Sequence, residues 1–254
     1  MFSVPQALQL GQFVLAAYDL FAESDPSTFV PPAGYSLVSK VYADDVTDDT
    51  AAFKVFGFIA QRGADVVVAI RGTEGVLEWI RDFEFALVRL PFVNAGMVEQ
   101  GFDRFYSSFR SGPNNDAQRV VDALAKLIAG GTVKTLRIAG HSLGSALATL
   151  LAIDLAANGG FTTPVVYTFA SPRIGDKVFA GTYDRLIETS WRIANLNDIV
   201  TQLPPQLVGY THVDAEFPIN LDDRCKHNFK CWHSLETYLN TLDASVPLDP
   251  ACVP

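Results

Sequence analysis

Residues 135–158 read TLRIAGHSLGSALATLLAIDLAAN, and this stretch decides the fold. It begins with an apolar run at 135–139, which is typical of a buried strand, and ends with an apolar run at 143–158, which is long enough for a helix. Between the two lies Gly140-His141-Ser142-Leu143-Gly144, a G-x-S-x-G motif. The sequence therefore predicts a strand, a sharp turn and a helix, with Ser142 at the turn.

A G-x-S-x-G motif in this setting is typical of the nucleophile elbow of α/β-hydrolases. The strained turn favours glycine at both ends, because side chains there would collide with the neighbouring strand or helix. The turn also holds the Ser142 hydroxyl clear of the sheet, beside a helix N-terminus, where negative charge is stabilised. A serine N-cap flanked by packing glycines is the other interpretation of the motif. We interpret His141 as structural.

Strand and helix patterns alternate along the chain on both sides of this motif. Helices are predicted over 5–21, 115–129, 179–187 and 232–242, and strands over 53–60, 65–70, 165–170 and 191–195. Such alternation favours a mostly parallel central sheet with helices on both faces, and the strand-rich start predicts an antiparallel N-terminal addition. We therefore expect an α/β-hydrolase fold, class α/β, in a single domain over 1–254.

Composition excludes several classes of protein. The 254 residues carry 19 Lys and Arg against 28 Asp and Glu, a net charge of −9, and 49% are hydrophobic. This is a globular composition, so disorder is excluded as the main state. An acidic chain without a basic cluster argues against a nucleic-acid partner. No apolar run approaches the roughly 18 residues of a transmembrane segment.

A serine nucleophile needs a general base, because its free hydroxyl is a poor nucleophile. In α/β-hydrolases the acid and then the histidine follow the serine along the chain. His212, His227 and His233 are the histidines after Ser142. His212 lies in an extended stretch, whereas His233 lies at the start of the last predicted helix, from which its ring can project over the sheet. His227 lies close to His233 in the chain and is the competing candidate for the general base.

The acid is expected just past a later strand. Asp198 meets this condition, because it follows the strand predicted at 191–195. Asp176 is the weaker candidate, and Asp214 lies in an extended stretch where it would point along a strand face.

The three cysteines, Cys225, Cys231 and Cys252, are too few for a disulfide scaffold and lack the spacing of a zinc site. We therefore expect no metal. A Cys225–Cys231 bridge that leaves Cys252 free and a set of three unpaired thiols both fit the sequence.

The N-terminal region carries no basic residue before Lys40, and no secretory leader is visible. The expectation is either an intracellular protein or a mature form whose leader has been removed.

At this point the motifs resemble those of the class 3 lipase family, which includes the fungal triacylglycerol lipases. The resemblance extends from about Phe53 to Leu239. It rests on the elbow and on these further motifs: Arg71-Gly72-Thr73, 78–82, Gly101-Phe102, 171–175, 197–200 and 233–239.

The resemblance implies a catalytic triad of Ser142, Asp198 and His233 and an oxyanion hole formed by Thr73 and the backbone N–H of Leu143. It implies an ester or lipid substrate, transient contact with a lipid interface, an extracellular location and no metal or organic cofactor. An esterase for small soluble or aromatic esters of the feruloyl type is the alternative enzyme. A non-catalytic binding module on the same fold is the alternative outside enzymes.

Related lipases also have an amphipathic lid in this part of the chain. We assign this lid to 73–81, with Gly75, Val76, Leu77, Trp79 and Ile80 as its candidate residues. For the apolar stretch 83–90, a core-facing helix and strand is the better interpretation.

Overall fold

A computed structural model describes the protein at residues 1–23, 26–32, 34–44, 53–73, 75, 85–161, 164–213, 215–221 and 224–254. The strands are β1 (Ser36–Asp44), β2 (Phe53–Arg62), β3 (Asp65–Ile70), β4 (Leu87–Arg89), β5 (Met97–Glu99), β6 (Thr135–His141), β7 (Val165–Phe169), β8 (Gly175–Asp176), β9 (Thr189–Asn195), β10 (Tyr210–Thr211) and β11 (Glu216–Ile219). The helices are α1 (Val4–Ala22), α2 (Gln100–Ser107), α3 (Val120–Ala129), α4 (Leu143–Asn158), α5 (Lys177–Leu186), α6 (Phe229–His233) and α7 (Leu235–Leu242).

Within the described residues, the larger sheet has seven strands in the order β1-β2-β3-β6-β7-β9-β11. The pairs β1–β2 and β2–β3 are antiparallel, and every later pair in this sheet is parallel. The expected fold class is confirmed: the central sheet is mostly parallel and carries an antiparallel N-terminal addition. The assignment of 1–254 to one domain stays a prediction.

Both faces of this sheet are covered, as β3 illustrates. Val66, Val68 and Ile70 belong to the core shared with α2, α3, α4 and α5, whereas Val67 and Ala69 belong to the core shared with α1 and α7. Successive strand side chains point to opposite faces, so a strand covered on both sides becomes a continuous apolar run. Helix α4 is buried throughout Leu143–Leu155, because it packs between the sheet and the other helices of its face.

A second, antiparallel sheet has the order β10-β8-β5-β4. Sequence reasoning did not predict it, because two- and three-residue strands are too short for a period of two to be visible. Its strand β4 accounts for part of the stretch interpreted as a core-facing helix and strand over 83–90. Phe83 and Glu84 lie outside the described residues.

Two predicted helices have different bounds in the structure. The helix expected over 115–129 begins only at Val120, because Arg119 instead forms an antiparallel bridge with Arg110. The helix expected over 232–242 is interrupted at Ser234, which has extended backbone dihedrals and caps α7 with its side chain. The part of the chain that the structure describes contains no helix with both the length and the apolar character of a membrane span.

Both interpretations of the cysteines are wrong. Cys231 and Cys252 form a disulfide with a Cα–Cα distance of 5.3 Å, and Cys225 is a buried free thiol. The chain end folds back across α6, where the backbone N–H of Lys226 donates to the Cys252 carbonyl oxygen at 2.9 Å. This contact joins residues far apart in sequence, so spacing along the chain could not show it.

Candidate active site

Ser142 lies at the turn between β6 and α4, as expected. Its φ is +56°, a left-handed conformation that is uncommon for a residue with a side chain. The Ser142 N–H donates to the Phe169 carbonyl oxygen at 3.0 Å, and the Ser142 carbonyl oxygen accepts from the Ser145 N–H at 2.9 Å. These bonds to β7 and to the first turn of α4 hold the strained residue in place.

The two glycines of the motif are sterically required. A Cβ atom at Gly140 would lie 2.1 Å from the Gly144 carbonyl oxygen. A Cβ atom at Gly144 would lie 2.4 Å from the carbonyl oxygens of both Ile70 and Arg71. Backbone atoms cannot rotate away as side chains can, so glycine alone allows the helix to begin this close to β3.

We expect Gly144→Ala to destabilise the protein by about 1–3 kcal/mol or more, because the added methyl group meets backbone. Gly181→Ala is the matched control: Gly181 also lies within a helix, and its added Cβ meets nothing within 4 Å. That substitution should stabilise the protein by about 0.5–1 kcal/mol. Urea unfolding of both variants measures the difference. Equal free energies of unfolding would contradict the close approach of α4 to β3.

The structure brings Ser142, His233 and Asp198 into one hydrogen-bonded chain. The Ser142 Oγ lies 2.8 Å from His233 Nε2, and His233 Nδ1 lies 2.7 Å from Asp198 Oδ2. All three residues are buried. In this arrangement the imidazole can accept the serine proton while the carboxylate fixes its tautomer and orientation.

Asp198 follows β9 and caps the short 3₁₀ helix Ile199–Gln202. Its Oδ1 accepts from the Val200 N–H at 3.0 Å, and its Oδ2 accepts from the Tyr238 hydroxyl at 2.8 Å in addition to His233. Each carboxylate oxygen therefore has a described donor, which compensates for burying the charge.

His233 is the last residue of α6, a five-residue helix capped by the Asn228 side chain. Its ring stacks on that of Phe229 with centroids 5.6 Å apart. The preceding carbonyl, that of Trp232, accepts from the Asn195 side chain at 2.8 Å, which ties α6 to the end of β9.

His141 stays interpreted as a structural residue, and both of its ring nitrogens have hydrogen-bond partners. Its Nε2 lies 2.8 Å from the His233 carbonyl oxygen, and its Nδ1 lies 2.7 Å from the Tyr18 hydroxyl. Burial, followed by the effect of the His233 charge, holds the pKa of His141 well below its usual range. A carbonyl only accepts, so a neutral His141 carries its proton on Nε2 and the Tyr18 hydroxyl donates to Nδ1.

Tyr18 also accepts from the Gly72 N–H at 2.9 Å. The same short network thus reaches the segment after β3, which contains Thr73. A Cβ at Gly72 would lie 2.9 Å from the Ser142 Cβ, so this segment runs directly against the elbow.

The oxyanion-hole candidates Thr73 and Leu143 are both buried. Thr73 follows Gly72, whose segment runs against the elbow, and Leu143 follows Ser142 in the chain. Leu143 is the first residue of α4, where backbone N–H groups have no partner one turn earlier in the helix. The Thr73 Oγ1 accepts from the Gly75 N–H at 3.3 Å. Gly75 is the described member of the lid candidate, and Val76, Leu77, Trp79 and Ile80 lie outside the described residues.

The competing acids and bases have other contacts. His212 Nε2 lies 2.8 Å from the Thr201 carbonyl oxygen, and burial, together with the charge of Arg192, lowers its pKa to about 3. His227 is exposed on the loop before α6, with its ring 6.1 Å from that of Trp232. Asp176 is the N-cap of α5, where it accepts from the Phe179 N–H at 2.8 Å. Asp214 lies outside the described residues.

Sequence reasoning did not identify three residues around the site: Tyr18, Asn195 and Tyr238. Both tyrosines lie on the apolar faces of amphipathic helices, where an aromatic side chain indicates core packing first. The signal that could have found them is the hydroxyl, because a tyrosine buried on such a face needs a polar partner.

A family model described as Lipase (class 3) matches residues 67–208. Among curated proteins, phospholipase A1-IIgamma from Arabidopsis thaliana is 34% identical over 206 residues, which is 69% of this chain and 48% of the relative. Secreted mono- and diacylglycerol lipase A from Penicillium cyclopium is 32% identical over 184 residues, or 72% of this chain and 56% of the relative. The chain spans about half the length of the curated relatives it matches.

Solved structures show the same fold. A mutant form of MDLA from Penicillium cyclopium superposes with a TM-score of 0.66 at 26% identity and covers 85% of this chain and 79% of its own. Mono- and diacylglycerol lipase from Aspergillus oryzae gives a TM-score of 0.68 at 23% identity, and the match covers 86% of this chain and 80% of that one. This second similarity concerns the fold alone.

Proposed function

The chain belongs to the class 3 lipase family, and on this premise we propose that it hydrolyses carboxylic ester bonds of acylglycerols, with Ser142 as the nucleophile. The hydrogen-bonded chain Ser142–His233–Asp198, at 2.8 and 2.7 Å, is the observation that carries the proposal. The family supplies the substrate class: two of its members are named as a phospholipase A1 and a mono- and diacylglycerol lipase.

In the proposed mechanism the Ser142 Oγ attacks the ester carbonyl and His233 Nε2 accepts its proton. His233 then gives this proton to the leaving alcohol, and an acyl-enzyme remains on Ser142. Water repeats the sequence: His233 takes a proton from it, the hydroxide oxygen bonds to the acyl carbon, and the proton returns to Ser142 as the fatty acid leaves. Asp198 stabilises the imidazolium throughout, and the N–H groups of Thr73 and Leu143 bind the oxyanion.

A substrate panel tests the proposed function. Rates are compared on a phospholipid, on mono-, di- and triacylglycerols, and on dissolved short-chain and feruloyl esters, with Ser142 labelled by a phosphonate ester to count active sites. Hydrolysis of acylglycerols is expected to exceed that of the feruloyl ester. Faster feruloyl ester hydrolysis would favour the esterase, and a chain that neither hydrolyses nor becomes labelled would be a binding module.

Lipid contact is the finer part of the proposal, and an apolar rim on the segment that carries Asp198 supports it. We define this rim as Leu196, Ile199, Leu207 and Val208, whose side chains are 62%, 52%, 99% and 48% exposed. The segment 193–209 that carries it contains a single charged residue, the buried Asp198. Large exposed apolar side chains on a segment with no exposed charged residue of its own are typical of a surface that contacts lipid.

The surface that fits this rim is uncharged or zwitterionic, because the segment has no lysine or arginine and the whole chain carries −9. At low salt an anionic bilayer would repel such a protein. The lid at 73–81 belongs to the same proposal, as a flap that would uncover further apolar surface.

We expect the double substitution Leu207→Ser and Val208→Ser to lower activity on a phosphatidylcholine emulsion at least about tenfold, because full burial of even one such apolar side chain in lipid contributes roughly 1.5–3 kcal/mol. Activity on a dissolved short-chain ester should stay within about twofold of the parent, since neither residue is a member of the triad. The measurement is the ratio of the two activities.

Val38→Ser is the matched control, because Val38 is 44% exposed but lies on β1, the far edge strand of the large sheet. It should leave the ratio unchanged. Equal losses on both substrates in the rim variant would remove the rim from the proposal.

A further inference from the structure

Asp198 Oδ2 accepts two side-chain hydrogen bonds at once. One comes from His233 Nδ1 at 2.7 Å and the other from the Tyr238 hydroxyl at 2.8 Å. Tyr238 lies on α7, five residues after His233, and is fully buried. The oxygen that stabilises the imidazolium is thus shared with a donor from a different helix.

The direction of the Tyr238 hydroxyl is fixed by a second contact. The Asn195 N–H, at the end of β9, donates to the Tyr238 oxygen at 3.1 Å. With that lone pair occupied, the hydroxyl proton points to Asp198. Burial, followed by the charge of Asp198, raises the pKa of Tyr238 well above its usual range. The hydroxyl therefore keeps its proton, and stays a donor, at every pH at which the enzyme works.

We propose that Tyr238 is a positioning residue for ester hydrolysis: its hydroxyl holds the Asp198 carboxylate facing His233 and withdraws part of the negative charge from the oxygen the two share. The inference rests on the proposed function, because it assigns His233 as the base. The sharing leaves the His233 imidazolium less strongly stabilised than an unshared carboxylate would.

Among the described residues, few titratable or charged groups face Tyr238 and Asp198. They are His141 on β6, whose ring centroid is 6.3 Å from that of Tyr238, and Glu216 on β11, whose charge acts on Tyr238. His141 stays neutral, as argued above, and Glu216 is paired with Arg192 at 2.9 Å. Removing the Tyr238 hydroxyl therefore changes the negative charge that Asp198 presents to His233. The two neighbouring groups do not add a second change in charge.

The test is Tyr238→Phe, compared with Tyr106→Phe as a matched control. Tyr106 is also a buried tyrosine that donates to a buried carboxylate, Asp154 Oδ2, at 2.7 Å, but its hydrogen bond joins α2 to α4. We expect Tyr238→Phe to lower kcat about tenfold with little change in KM, because the Asp198 carboxylate is no longer held facing His233. The acidic limb of kcat/KM should move to higher pH by about half a unit, because the unshared carboxylate stabilises the imidazolium more strongly.

Tyr106→Phe should lower the melting temperature to a similar extent and leave both readouts unchanged. A Tyr238→Phe profile that coincides with that of Tyr106→Phe, or an acidic limb that moves to lower pH, would overturn the proposal. Site-specific Tyr238→3-fluorotyrosine keeps the fold and makes a stronger donor, so its acidic limb should move in the opposite direction.

An NMR titration keeps the inference separate from the proposed function. The ring signals of His233, assigned by their absence from His233→Ala, should titrate at higher pH in Tyr238→Phe than in the parent, whether or not an ester is hydrolysed. A parent that hydrolyses no ester would end the proposed function. An unchanged His233 titration would end the role of Tyr238.

Discussion

Ser142→Ala is expected to reduce ester hydrolysis by about 10⁴–10⁶-fold, the largest effect we predict for any single substitution. The hydroxyl that attacks the carbonyl is lost, and no other described side chain takes its place beside His233 Nε2. The fold should survive, because the Ser142 backbone, which makes the bonds to β7 and α4, is unchanged. The measurements are hydrolysis of a dissolved short-chain ester, labelling by a phosphonate ester and the melting temperature.

Ser190→Ala is the control for this experiment. Ser190 is another buried serine, bonded through its hydroxyl to that of Tyr183 at 3.0 Å, at the start of β9. It should lose some stability and keep both turnover and labelling. Turnover of Ser142→Ala within tenfold of the parent would reject Ser142 as the nucleophile.

The second largest effect is expected for His233→Ala, which should be about as damaging as Ser142→Ala, since members of a triad act as a unit. Alanine retains the backbone carbonyl that accepts from His141, so the substitution removes the base without breaking that network. The double variant Ser142→Ala with His233→Ala should lose little more activity than either single one. Initial rates on a dissolved ester measure all three.

His227→Ala provides the comparison within the same loop. Its ring is exposed, and it should reduce the rate no more than about twofold, as expected for a surface position. If His227→Ala were severe and His233→Ala mild, the 2.8 Å contact between His233 and Ser142 would not be the productive one, and the base would have to be reassigned.

The sequence by itself determined the elbow and the fold class. Both depend on properties that are local in the chain: the period of apolar residues, and the steric need for glycine where a strand turns sharply into a helix. Gly140 is an example, because the atom that excludes a side chain there, the Gly144 carbonyl oxygen, belongs to the turn itself. The alternation of strands and helices around the elbow was likewise predicted from the sequence alone.

Sequence order also narrowed the site to a few candidates, and the resemblance to class 3 lipases selected Asp198 and His233 from them. The structure adds the distances between these side chains and places His212 and Asp176 in other hydrogen bonds. The lid candidate, apart from Gly75, lies outside the described residues, so it stays a prediction.

Only the tertiary structure decided which residues distant in the chain meet. The Cys231–Cys252 bond depends on how the chain end packs against α6, and the donation from Tyr238 to Asp198 depends on how α7 packs against the turn after β9. A local sequence pattern does not show such contacts. A cysteine can pair with any cysteine that the fold brings near it. A buried tyrosine fits the same apolar pattern as a phenylalanine, and the pattern does not show which acceptor its hydroxyl bonds. The physical reason is that the pairing energy belongs to two side chains at once, whereas a sequence pattern describes one segment at a time.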